Sequence, residues 1–177
     1  NASNLKNEVI VFTAESLYKF NKTTTQFTKS DIPASMSPAF SFTAGTDKDN
    51  GTSIFYALHH DQKEEIQEEF GHTEVWKSTD SGVTWNRLGS TVVTNVASGI
   101  KPSYSMIACS EFDAGQAYLV SNRYEEKKAG NKMIYWYGAM NTSDAGNQWE
   151  WVWKGGGGSG QYGVKDGVGV DNLTDAW

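Results

Sequence analysis

The chain has 177 residues, room for a single domain with a sizeable core, and a net charge of −6 with only two arginines, Arg87 and Arg123. Its lysines are scattered, which leaves no basic face for phosphates and excludes nucleic acid as an expected partner. No apolar run approaches the ~20 residues of a membrane span, so no membrane partner is expected, and no signal peptide is evident, although a mature exported chain would have lost one. Eighteen Gly, seven Trp, eight Tyr and eight Phe, set in short apolar runs between turn residues, predict an all-β fold.

In chain order, the first strands fall near 8–14, 17–22 and 25–31, with "LYKFNKTTTQF" spanning the last two. Strands near 39–45 and 52–60 follow, and "DKDNGT" (Asp47 to Thr52) between them resembles the start of a calcium loop. Its Gly51 comes one position early and the downstream Glu is missing, so a hairpin turn is the reading and no metal or cofactor is expected. "DQKEEIQEEF" (Asp61 to Phe70) is charged nearly all round and is at most a short exposed turn of helix. Strands near 73–79 and 84–89 flank the stretch Ser78-Thr79-Asp80-Ser81-Gly82-Val83-Thr84-Trp85.

Next come strands near 104–111, 117–123, 133–142 and 149–154. Cys109 is the single cysteine, so no internal disulfide forms, and its apolar neighbours predict a buried strand residue. "GGGGSG" (Gly155 to Gly160) suits a linker or a loop and lacks the Lys-Ser/Thr of a phosphate loop. "GVKDGVGVDNLTDAW" (Gly163 to Trp177) reads as the approach to a further unit. Sequons of the form N-x-[ST] begin at Asn1, Asn21, Asn50, Asn141 and Asn172, and they favour a secreted or extracellular protein.

A repeat organises these strands. Thr142-Ser143-Asp144-Ala145-Gly146-Asn147-Gln148-Trp149 matches Ser78 to Trp85, with Asp80 and Asp144 64 residues apart. A weaker copy aligns Tyr18 with Trp76 and Phe27 with Trp85, keeping the aromatics and losing the Asp and Gly. Four antiparallel strands per unit of roughly 50–65 residues is the pattern of a β-propeller blade. The expected fold is therefore a partial β-propeller over residues 1–177: an incomplete blade 8–33 lacking its opening strand, blades 39–89 and 104–155, and the start of another at 163–177. A ring closes with roughly four to eight blades, so the rest of a longer chain or another copy is expected to supply the others.

S-x-D-x-G-x-T-W is the Asp-box, or BNR, motif. Ser78 to Trp85 fits it in full, and Thr142 to Trp149 departs in having Thr for Ser and Gln for the later Thr. The chain thus resembles Asp-box propellers, found among sialidases, xyloglucan-cleaving glycosidases, polysaccharide lyases, sortilin-type receptors and a photosystem assembly factor. Ser78, Asp80, Gly82, Trp85, Thr142, Asp144, Gly146 and Trp149 are expected to be structural: Asp accepts N–H groups of the turn, Gly takes φ > 0, and Trp packs over it.

The resemblance implies a secreted glycoside hydrolase or polysaccharide lyase with a poly- or oligosaccharide partner; the alternative is a lectin-like or sortilin-like propeller that binds carbohydrate or peptide without catalysis. The ligand face of such propellers lies opposite the Asp-box hairpins, which directs attention to His59–His72, Arg123–Lys132 and the inter-blade segments 33–38, 90–103 and 155–170.

His59, His60 and His72 are the only histidines. Adjacent strand residues face opposite ways, so His59 and His60 cannot share a site, and Asp61 or His72 would complete an acid/base pair with His60. In "RYEE" (Arg123 to Glu126), Tyr124 resembles the sialidase nucleophile, yet two arginines and no Arg-Ile-Pro motif exclude a self-contained sialidase. Arg123 and Lys101 are the expected substrate-binding cations. For both clusters the alternative is a hydrated, charged loop. Asp61, Asp113 and Asp175 are available carboxylates for a two-carboxylate mechanism. The rings of "MIYWYGAM" and "WEWVW" read mainly as core.

Overall fold

The structure is a computed structural model that describes residues 2–61, 72–88, 103–128 and 132–156. Among the described residues twelve strands form three antiparallel sheets, each a simple meander: β1 (Ala2–Asn4), β2 (Glu8–Phe12), β3 (Ser16–Asn21) and β4 (Gln26–Asp31); β5 (Ala39–Thr46), β6 (Ser53–Asp61), β7 (His72–Ser78) and β8 (Asn86–Leu88); β9 (Ser103–Cys109), β10 (Ala117–Lys128), β11 (Lys132–Thr142) and β12 (Glu150–Gly156). There is no α-helix among the described residues, only a 3₁₀ turn at Ala34–Met36. The all-β expectation holds.

Period-2 alternation sets the strands. In β2, Ile10 and Phe12 are buried while Val11 is exposed. The central strand β6 is covered on both faces and so reads as a continuous apolar run, Ile54 to Leu58. Phe55 and Ala57 belong to a core with Ile10, Phe12, Leu17, Phe42, Trp76 and Trp85, between the first and second sheets. Ile54, Tyr56 and Leu58 belong to another with Val75, Tyr104, Leu119, Met140 and Trp149, between the second and third. Phe12 stacks on Phe42 with centroids 4.3 Å apart, and Phe55 meets Phe42 edge-on.

The leading strands β5 and β9 lie side by side. Ser41 Oγ accepts the Ile107 N–H at 3.2 Å and Thr43 Oγ1 accepts the Cys109 N–H at 3.1 Å, so both strands begin at the same end of the molecule. At their far end Thr46 exchanges backbone bonds with Glu111 and Ala114. Cys109 is partly buried beside Thr43, and burial pushes its thiol up to about 11, where it is an inert core group rather than a nucleophile.

Two strand expectations change. The first sheet has an opening strand after all: β1 pairs with β2 through Ala2–Val11, Ser3–Ile10 and Asn4–Val9. Its three small residues, two of them polar, carry no apolar alternation that would mark a strand. "RYEEKK" is not loop but the end of β10, with Tyr124 opposite Trp136 and Lys128 opposite Lys132, since backbone pairing with the aromatic β11 carries the charged segment along. The helical turn weighed for 61–70 lies outside the described residues except for Asp61, which ends β6; Gly157–Gly160 and 163–177 also lie outside them.

The β7–β8 and β11–β12 turns share one geometry. Ser78 Oγ donates to Asp80 Oδ1 at 2.8 Å and accepts the Gly82 N–H at 2.8 Å; Thr142 Oγ1 does the same with Asp144 at 2.8 Å and Gly146 at 3.0 Å. Trp85 and Trp149 each donate Nε1–H to the glycine carbonyl at 3.2 Å. Gly82 and Gly146 have φ of +82° and +84°, following Ser81 and Ala145 at +58° and +59°.

Each turn seats in the preceding sheet. A Cβ on Gly82 would stand 2.3 Å from Leu17 of β3, and one on Gly146 2.9 Å from Leu88 of β8. Lys19 of β3 donates to the Ser81 carbonyl at 3.0 Å, and Lys77 of β7 donates to the Ala145 carbonyl at 2.7 Å. Tyr18 aligns with Trp76 in the repeat, so these lysines are equivalent, each clamping the turn of the next sheet.

Candidate functional site

The turns occupy one end of the molecule, and the histidine segment of the second sheet and the Arg123–Tyr124 segment of the third lie at the other. There β5 begins, β6 ends and β7 begins; because β9 starts beside β5, the third sheet brings Ser103 and the far part of β10 to the same end. In the second sheet Asp61 stands opposite His72, His60 opposite Thr73 and His59 opposite Glu74. In the third, Arg123 stands opposite Ser103 and Tyr124 opposite Trp136. Lys101 and Asp175 lie outside the described residues.

Strand alternation separates the two adjacent histidines. His59 is buried toward the first sheet, and its Nδ1 lies 3.0 Å from the Pro38 carbonyl, which can only accept; Nδ1 therefore carries the proton. Beside it, buried Glu74 accepts the Trp76 Nε1–H at 3.0 Å and pairs with half-exposed Arg87. This network satisfies a buried carboxylate and consumes Arg87, so that arginine is held within its own sheet.

His60 faces the other way and is exposed. Its ring stacks on Phe40 with centroids 4.2 Å apart and planes 10° from parallel, and its Nδ1 lies 3.4 Å from the Thr73 hydroxyl. Partial burial, with the neighbouring His59 adding to it, lowers its pKa below the usual histidine value. The imidazole is thus neutral at pH 7: it can accept a proton, and its face combines with Phe40 into a flat, largely apolar platform. Sequence reading missed Phe40, because contact with His60 arises at an irregularity in the β5–β6 register between Ala39 and Ser41.

Of the carboxylates considered for chemistry, Asp113 is removed. It sits in the β9–β10 turn, at the end away from His60, where Lys48 at 2.8 Å and Gln116 at 2.9 Å hold its carboxyl below the usual range. Asp47 is committed to its own hairpin, accepting the N–H groups of Asp49 and Asn50. Among the described residues no cluster of His, Cys, Asp or Glu is placed to hold a metal ion. Within the third sheet, Ser121 is buried opposite Tyr104 and its Oγ finds no hydrogen-bond partner among the described residues.

No protein-family model matches the chain, and no curated protein matches it.

Proposed function

We propose that the three sheets are consecutive blades of an Asp-box β-propeller and form part of a secreted carbohydrate-active enzyme, a glycoside hydrolase or polysaccharide lyase. The observation that carries this reading is the repeated turn, built twice from the same hydrogen bonds and clamped twice by an equivalent lysine of the preceding sheet. Further blades, from more of the polypeptide or another copy, would cover the trailing face of the third sheet, where Met106, Tyr118 and Val152 are exposed. His60 is the proposed base, with Arg123, Tyr124 and Lys101 meeting substrate; the Asp61 and His72 partnership expected for it is dropped, because Asp61 follows His60 within β6 and pairs with His72, which puts both at register positions of the opposite face.

The test is a panel of neutral and uronic-acid polysaccharides, read separately for new reducing ends and for the unsaturated uronate that only a lyase makes. One substrate should be cut, and His60→Ala should lower its rate by roughly the 10²–10⁴-fold range of a lost general base. Absence of product from every substrate would overturn the enzyme reading.

A second reading, carbohydrate binding without catalysis, is favoured by the Phe40–His60 stack, because a neutral ring pair offers a face for a pyranose. It predicts saturable binding without product, weakened by Phe40→Ala.

A further inference from the structure

Three of the five sequons fall in the described part of the chain, and their surroundings differ. Asn21 opens the exposed turn between β3 and β4, and its Oδ1 accepts the N–H of Thr23 and of Thr24, both at 2.9 Å. Asn50 is exposed at the tip of the β5–β6 hairpin, and its Oδ1 accepts the Thr52 N–H at 2.8 Å. In both, the carboxamide oxygen binds the N–H of the sequon threonine itself, an Asx turn closed within the tripeptide. Such a turn leaves Nδ2 free to point outward, and hydrogen bonding at the carbonyl oxygen draws electrons from the amide and makes its N–H more acidic. The contacts span at most three residues, so they are open to the nascent chain before any sheet has formed.

Asn141 is the contrast. It is half-buried within β11, paired with Tyr118 on one side and Glu150 on the other, and the following Thr142 is buried in the repeat turn. Its backbone is held in a ladder and no Asx turn forms.

We infer that Asn21 and Asn50 are N-glycosylation sites and that Asn141 is not, although all three satisfy the sequon. The donor is a lipid-linked oligosaccharide pyrophosphate. Nδ2 forms a bond to the anomeric carbon, the carbon–oxygen bond to the pyrophosphate breaks, and the Nδ2 proton passes to a base of the transferase. Both sites lie at the end of the molecule that carries the repeat turns, so glycans there would leave the His60 end open. The inference rests on the secreted reading.

The experiment expresses the full chain behind a cleavable signal sequence in a eukaryotic secretory cell, so that entry into the pathway is imposed. Enzymatic deglycosylation in heavy-oxygen water, followed by peptide mapping, marks each occupied Asn as labelled Asp. Label is expected at Asn21 and Asn50, with none at Asn141. Thr23→Ala and Thr52→Ala should each remove one glycan from the intact mass while leaving the asparagine in place, and Ser143→Ala should remove none. An unlabelled Asn21 or Asn50, or a labelled Asn141, overturns the inference. Finding the native protein inside its source cell would instead overturn the secreted reading, and the two failures are distinct.

Discussion

Asp80 gathers hydrogen bonds from the Ser78 and Thr84 hydroxyls and from the N–H groups of Val83 and Thr84. Partial burial works to raise its pKa, but these bonds, the Thr84 hydroxyl foremost, outweigh it and bring the carboxyl from 3.8 to about 2; Asp144 is lowered in the same way. A depressed carboxylate stabilises the fold fully above its unfolded value, and that contribution is lost as pH falls through the folded one. Urea midpoints of the wild type should therefore fall between pH 4 and pH 2, and Asp80→Asn should flatten that slope. Asp80→Ala, which strands the turn's donors, should cost about 1–2 kcal/mol at pH 7, because the outer N–H groups still reach water. The spacing of Ser78, Asp80, Gly82 and Trp85 made this turn legible in the sequence, since each residue acts within a few positions of the others. The Phe40–His60 stack and the Glu74–Trp76–Arg87 network were not legible, because they join residues through strand register.

Gly82 lies against Leu17 of the preceding sheet, so Gly82→Ala meets both a left-handed φ and a side chain 2.3 Å away. A loss of about 2–4 kcal/mol is expected. Leu17→Ala in the same background should recover part of the steric share, a coupling that a double-mutant cycle on urea midpoints would measure. Lys19→Ala and Lys77→Ala should each cost about 1 kcal/mol, and additively, since they act at separate interfaces. These two lysines passed in the sequence as scattered surface charge; their equivalence emerges only when Tyr18 is laid on Trp76. Most strands were readable from alternation, whereas β1 was too short and polar, and the end of β10 too charged, to be recognised without its partner strand.

At the scale of the molecule, the middle sheet is packed on both faces by described residues while the outer two are covered by them on one. A shift of 64 residues carries Ile54, Tyr56, Val75 and Leu88, which meet the third sheet, onto Tyr118, Val120, Ala139 and Val152. Tyr118 and Val152 remain 52% and 55% exposed, as does Phe27 on the first sheet at 75%. Apolar faces of this kind mark where further structure docks. Native mass spectrometry of purified protein, beside a denatured control, tests the proposed ring most directly. The 19.5 kDa chain is expected in association with further mass, as more polypeptide or as a second copy. A lone 19.5 kDa monomer that unfolds in one cooperative transition would contradict it.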